Sequence, residues 1–232
     1  MNSLEGKVAL ITGAKGGLGS SVTNAFLGAG ATVVGVSRSI QSSDFPHLQF
    51  TAIPAELSSG QAARTVVQAA ISLFGRIDAL VHVIGGFAGG QRVEETEEAT
   101  LDKMLDVNYR SAFFILRAIL PQMRSQGRGR ILAVASRQAV EPGAMVGAYS
   151  ASKAALVALV RTVALENKDR GISANTVLPA TMDTPVNRTD MPDADVSQWV
   201  QPAQVAALLV HLASDEASDI TGAAIPVYGK QA

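Results

Sequence analysis

The sequence contains no cysteine, which excludes disulfides and thiolate metal sites and is compatible with a reducing compartment. Aromatic residues make up only 5% of the 232 positions, although 47% are hydrophobic. The core must therefore be built from Ala, Val, Leu and Ile, a composition that suits a parallel sheet buried under helices on both faces. No block of like charge occurs, and the formal net charge is −1, so nothing supports binding to nucleic acid. No uninterrupted apolar run is long enough to cross a bilayer. The opening M-N-S-L-E-G-K has no basic segment followed by an apolar one, so no signal peptide is expected. These features predict a cytoplasmic protein that neither enters nor binds a membrane. The length suits one domain over 1–232, with no linker or composition shift dividing it.

What the chain does contain is an alternation of short apolar runs with helical periods. Val8–Thr12 reads as a buried strand leading into G-A-K-G-G-L-G at Gly13–Gly19, followed by a helical segment. Strand, glycine turn and helix form the context in which such a turn holds a dinucleotide. Gly13 allows the tight turn, and Gly17 and Gly19 let backbone approach a phosphate lying at the helix N-terminus.

Ala31–Ser37 reads as the second strand and is followed by Arg38. A dinucleotide's ribose 2′ position lies at this strand's end. An acid there binds a 2′-hydroxyl, whereas an arginine pairs with a 2′-phosphate. Ser37 followed by Arg38, with no acid, points to NADPH over NADH.

Further strands are expected at Leu48–Ile53, Ile77–Ile84, Arg130–Ala135, Ile172–Leu178 and Ala223–Val227, with helices at Ala62–Phe74, Leu101–Met123 and Val205–Ala213. The fold class is therefore α/β, a Rossmann-like doubly wound parallel sheet with helices on both faces. The glycines of G-G-F-A-G-G at Gly85–Gly90, beyond a strand's carboxyl end, suggest close approach of a ligand. Asp183–Val200 is a polar loop, expected to face the substrate.

Tyr149 and Lys153 lie four positions apart in a helical segment, so phenol and ammonium share one face. Alone the pair is equally a surface Tyr beside a Lys. In a site, a nearby positive charge lowers the phenol's pKa and readies it to exchange a proton with a substrate oxygen. His82 lies within an apolar strand and reads as a packed, hydrogen-bonded residue. His47 and His211 have no partners at metal-ligand spacing, and no metal site is expected. Trp199 either covers the substrate or packs the loop.

Taken together, these motifs resemble the short-chain dehydrogenases/reductases over about Gly6 to Gly229. T-G-A-K-G-G-L-G is similar to the family's cofactor turn, which implies contacts from Gly13, Lys15, Gly16, Gly17, Leu18 and Gly19. Asn108 sits where the family keeps an asparagine in its fourth helix. Ser136, Tyr149 and Lys153 match its serine and its Tyr-x-x-x-Lys motif. Pro179 and Ala180, with Met182 and Thr184, resemble the segment that contacts the nicotinamide carboxamide. Glu56-Leu57 stands for the family's Asp-Leu beside the adenine, and His82-Val83-Ile84-Gly85 stands for Asn-Asn-Ala-Gly, keeping Ile84 and Gly85 at the cofactor. The loops around Phe87 and Trp199 also resemble the quinoid dihydropteridine reductase branch.

The resemblance implies hydride transfer between a nicotinamide and a carbonyl or alcohol, with 3-oxoacyl thioesters or small ketones as substrates. Tyr149 would protonate the oxygen and Ser136 would hydrogen-bond it. Lys153 would lower the phenol's pKa and hold the ribose, and Asn108 would hold a water leading from Lys153 to solvent. The alternatives are a dihydropteridine reductase-like activity and, in another class, a non-catalytic NADPH sensor. A homodimer or homotetramer is expected, because the helix after Lys153 and the helix at Ser111–Leu120 are apolar on nearly every face.

Overall fold

The computed structural model describes residues 3–231. In chain order its elements are β1 (Val8–Thr12), α1 (Gly17–Gly28), β2 (Thr32–Ser37), β3 (Phe50–Pro54), α2 (Gly60–Phe74), β4 (Ala79–His82), α3 (Glu98–Leu105), α4 (Ser111–Gln126), β5 (Gly129–Val134), α5 (Gly147–Asn167), β6 (Ile172–Pro179), α6 (Pro185–Asp190), α7 (Pro202–Ala213) and β7 (Ala224–Val227). The strands form one seven-stranded sheet in the order β3-β2-β1-β4-β5-β6-β7, and every pairing is parallel. β1, β4 and β6 are buried along their whole length, which is why β1 and most of β4 read as apolar runs and not as alternating ones.

Two apolar layers cover the sheet. One joins it to α2, α4 and α5 through residues such as Val66, Ile115, Ile119, Leu156 and Val160. The other joins it to α1 and α7 through Val22, Phe26, Val205 and Leu209. α5 has the length and mean hydropathy of a membrane span, but its inner face is part of the first layer. Strand order reverses between β1 and β4, and a crevice opens there beyond the carboxyl ends.

The expected elements are found, with local differences. β4 ends at His82, two residues short of the expected Ile84, because the chain leaves the sheet to pass over Gly13. The segment read as one helix over Leu101–Met123 is interrupted: Asp106–Arg110 forms a π turn between α3 and α4. There the Ser111 N–H donates to Asp106 O, five residues back. The Val107 carbonyl instead accepts from the Ser111 hydroxyl at 2.7 Å. One extra residue in the turn aims Asn108 inward, where it is fully buried. The loop expected over Asp183–Val200 carries a short helix, α6, capped by the Thr184 hydroxyl, which accepts from Asn187 N–H at 3.3 Å. Trp199 is only 9% exposed, so it packs this loop.

Candidate active site

Strand ends, the glycine turn and the first turn of α5 enclose one cleft of about 770 Å³. Gly13, Gly16, Gly17, Leu18, Gly19, Gly85, Ser136, Tyr149, Lys153, Pro179, Ala180, Met182 and Thr184 all line it. Residues scattered over some 170 positions thus converge because parallel strands deliver their carboxyl ends to the same edge.

The glycine turn is shaped by close approach. A Cβ on Gly19 would lie 1.9 Å from the Gly13 carbonyl oxygen, and one on Gly17 would lie 3.1 Å from Thr184 across the cleft. Gly13 has φ +75°, and a Cβ there would meet the Ile84 nitrogen at 2.9 Å. α1 begins with no side-chain cap, so its first N–H groups face the cleft free of a capping oxygen. A dinucleotide's pyrophosphate fits this cradle.

At the other end of the cleft, Ser136 and Tyr149 line the wall together, and the Ser136 hydroxyl is near enough to act on the phenol. Ser136 is held at the end of β5, where its oxygen also accepts from Gln138 N–H at 3.2 Å. Phe87 makes a T-shaped contact with the Tyr149 ring, with centroids 5.0 Å apart. Burial raises the phenol's pKa above its ordinary value, and the nearby Ser136 hydroxyl offsets only part of that shift. This corrects the expectation that Lys153 pulls the phenol down. Helical spacing does place the two residues together, but the Lys153 ammonium turns to donate to the Val134 carbonyl at 3.0 Å. It is almost fully buried, and desolvation lowers its pKa to about 8.

Asn108 lies behind the cleft wall. Its amide bonds the Gly86 backbone in both directions, accepting from N–H at 2.9 Å and donating to O at 3.0 Å, and it also donates to Ser152 at 3.0 Å. These bonds fix the loop after β4. A Cβ on Gly85 would come within 2.8 Å of the Lys153 Nζ and 3.2 Å of the Asn108 Oδ1, which accounts for the glycine.

His82 is buried beside these groups. Its Nδ1 lies 2.8 Å from the Thr12 hydroxyl and its Nε2 lies 3.4 Å from the Ser111 hydroxyl. Burial and the Lys153 charge lower its pKa to about 3. It is a packed, neutral residue, as its place in an apolar strand suggests.

Several expected cofactor residues stand off the cleft wall. The Ser37 hydroxyl accepts from Lys15 N–H at 3.1 Å, which brings the turn and the end of β2 together. Arg38 is exposed, and its only ion pair among the described residues is a 3.9 Å contact to the equally exposed Glu56. The Lys15 ammonium pairs with Asp44 at 2.9 Å and donates to the Ser39 carbonyl at 3.2 Å. Asp44 was not a sequence candidate, and no local motif marks it. Leu57 is 4% exposed within the core, so its side chain does not reach the cleft. Ile84 contributes its backbone against Gly13. Phe87, Arg137, Val186 and Met191, also absent from the candidate set, line the substrate end. For Phe87 the flanking glycines were the available signal. No group of His, Asp and Glu suited to a metal occurs among the described residues.

Comparison with known proteins gives one consistent answer. A family model described as short chain dehydrogenase matches residues 7–195. A 2,5-dichloro-2,5-cyclohexadiene-1,4-diol dehydrogenase from Sphingobium indicum is 32% identical over 246 residues, covering 98% of this chain and 97% of that protein. A 3-oxoacyl-[acyl-carrier-protein] reductase from Thermotoga maritima is 30% identical over 241 residues, covering 97% and 98%. Among solved structures, a 3-ketoacyl-(acyl-carrier-protein) reductase from Brucella melitensis complexed with NADH superposes with a TM-score of 0.88, at 29% identity and 98% coverage of both chains. Sequence and architecture agree along almost the entire chain, which belongs to the short-chain dehydrogenase family.

Proposed function

We propose that this oxidoreductase acts as an NADPH-preferring reductase of small carbonyl compounds, with Tyr149 as proton donor. The observation that carries the reading is the meeting of Ser136 and Tyr149 at one end of a cleft whose other end is the uncapped glycine turn. Gly16–Gly19 and Thr184, which line the cleft, would hold the cofactor, and Lys153 would hold its ribose. When bound, the nicotinamide supplies the hydride to the carbonyl carbon. The Tyr149 phenol gives its proton to the carbonyl oxygen, and the Ser136 hydroxyl donates to that oxygen as its charge develops. The raised pKa keeps the phenol protonated at neutral pH, which is the form reduction needs. Asn108 acts by holding the loop after β4 and, through it, the surroundings of Lys153; a water held there would link Lys153 to solvent.

The relatives are dehydrogenases and acyl reductases, which favours the carbonyl reading over a pteridine substrate. A sensor that never turns over has no use for a paired Ser136 and Tyr149. Loss of NADPH absorbance against ketones, a 3-oxoacyl thioester and quinonoid dihydropterin tests all three readings. Turnover of a carbonyl compound supports the reductase, and turnover of the pterin alone transfers the assignment. Cofactor binding without any turnover leaves the sensor.

The preference for NADPH rests on Arg38. An exposed guanidinium held only by a long surface contact is free for a 2′-phosphate, and Ser37 beside it carries no competing charge. Arg38→Asp is expected to raise the Michaelis constant for NADPH by about 10–100-fold, from the loss of one charged hydrogen-bonding partner. It should also erase or reverse the preference. Equal constants for NADPH and NADH in the unaltered protein would rule the assignment out.

We also infer a homodimer or homotetramer joined through α4 and α5. Ala151, Ala158 and Leu165 form an exposed stripe at seven-residue intervals on α5, and Phe113 on α4 is 40% exposed. The small residues allow a second helix to approach closely, and a copy of the same surface is self-complementary about a two-fold axis. Light scattering at micromolar concentration is expected to give a multiple of 24.0 kDa. A monomer mass with full activity would refute the inference.

A further inference from the structure

We propose that the cleft selects uncharged ring ketones, or the matching ring alcohols in reverse, and discriminates against carbonyl compounds that carry a carboxylate. The proposal rests on the reductase reading above and names the substrate class of that site.

The first observation is charge. Among the described residues, Arg137 and Lys153 are the only cations lining the cleft. Lys153 is bonded to the Val134 carbonyl at the cleft's base. Arg137 is held on three sides. Its Nε donates to Glu141 at 2.8 Å, its Nη1 donates to the Gln231 carbonyl, and its guanidinium lies 5.0 Å over the Tyr228 ring. Glu141, which also lines the cleft, balances its charge. An incoming carboxylate therefore finds no free cation and faces the Glu141 carboxylate. Losing water without gaining a partner is unfavourable, and a like charge adds repulsion.

The second observation is the apolar surface beside the proton donor. Phe87 is 64% exposed, although its ring touches the Tyr149 ring. Val186 on α6 is also 64% exposed, and Met191 beyond it is 38% exposed. Val146 lines the same end. Exposed large apolar side chains gathered at one mouth mark a binding surface. An aromatic ring one ring's width from the phenol gives a flat apolar molecule a stacking face while its carbonyl meets Ser136 and Tyr149. An open chain of the same carbon count gains less from that face and loses more rotational freedom on binding.

Three ketones of similar size separate these effects: 4-methylcyclohexanone, 4-oxocyclohexane-1-carboxylate and 2-heptanone. NADPH consumption gives kcat/KM for each, and calorimetric titration into the NADP⁺-loaded protein gives Kd as a second readout. The expected kcat/KM for 4-methylcyclohexanone exceeds each of the others by about tenfold or more, with Kd in the same order. Glu141→Gln should narrow the gap between the neutral and the anionic ring, because it frees Arg137. Phe87→Ala should narrow the gap between ring and chain, mainly through KM. Both positions are exposed, so both variants should fold. An anionic ring used as well as the neutral one, or a chain used as well as the ring, overturns the substrate class and leaves the reductase standing. So does a Glu141→Gln or Phe87→Ala variant with unchanged ratios. NADPH consumption with none of the three overturns the class, and the reductase reading falls with it only when a 3-oxoacyl thioester is not turned over either.

Discussion

Replacing Tyr149 by Phe lowers turnover by about 10²–10⁴-fold, the usual contribution of a positioned proton donor, while fold and cofactor affinity stay close to the original. The substitution removes one oxygen and leaves the ring. The T-shaped contact with Phe87 at 5.0 Å involves rings only and survives. α5 keeps its buried face, since Leu156, Val160 and Val163 are untouched. What disappears is the hydroxyl, with its exchangeable proton, that lines the cleft together with Ser136. Ser136 stays in place, held by the Gln138 N–H that it accepts at 3.2 Å, and its remaining role is the hydrogen bond to the carbonyl oxygen.

The pH dependence follows from the same phenol. Its pKa is raised by burial, so the protonated form that reduction needs persists from neutral pH into the alkaline range. Alcohol oxidation needs the phenolate and should climb as pH rises. In Tyr149→Phe both dependences should flatten. Stopped-flow NADPH absorbance under single-turnover conditions measures the step directly. A variant that reduces ketone at the original rate would remove Tyr149 from the chemistry.

How much of this site is legible in the sequence depends on whether its geometry is local. The glycine turn is readable because Gly13–Gly19 sits between a buried run and a helix, so spacing alone fixes its place. Tyr149 and Lys153 are readable because one helical turn separates them. The direction of the Lys153 ammonium is not, since its partner, the Val134 carbonyl, belongs to a strand 19 residues earlier. The π turn at Asp106–Arg110 is invisible for a different reason: one extra residue shifts the helical phase without changing composition. The clamp on Arg137 joins residues 94 positions apart. Asp44 likewise meets Lys15 only because the connection after β2 folds back over the glycine turn. That the sheet is parallel is legible from the alternation of strands and helices, because parallel neighbours need a crossover; the order of its strands is set by contacts between distant segments.

The same non-local geometry gives His82 a measurable effect on stability, expected to be about 3 kcal/mol at pH 4.5 relative to pH 7. β1 and β4 are neighbours, and their register sets Thr12 opposite His82. The Ser111 hydroxyl donates to the Val107 carbonyl that the π turn leaves free, so toward His82 it acts as acceptor. The ring proton is thereby assigned to Nε2, and Nδ1 accepts from Thr12 at 2.8 Å. Neutral imidazole completes the chain, which braces the π turn that aims Asn108.

A second proton would enter a fully buried ring near the Lys153 charge, so the native pKa falls from 6.5 to about 3. Between those values the unfolded chain binds a proton that the native chain does not, and stability therefore falls as pH falls through this window. At pH 4.5, two units below the unfolded value, the loss is about 3 kcal/mol at 1.36 kcal/mol per unit. Carboxyl groups begin to titrate at the acid end of this range, but they do so in any variant. His82→Asn keeps an acceptor and a donor without a titratable ring, so the difference between the two proteins isolates the histidine. Urea denaturation of both, at pH 7 and at pH 4.5, should show the original protein losing about 3 kcal/mol more than the variant. Parallel losses would mean that His82 takes up its proton in the folded state as readily as in the unfolded one, and that the chain from Thr12 to Val107 does not hold it neutral.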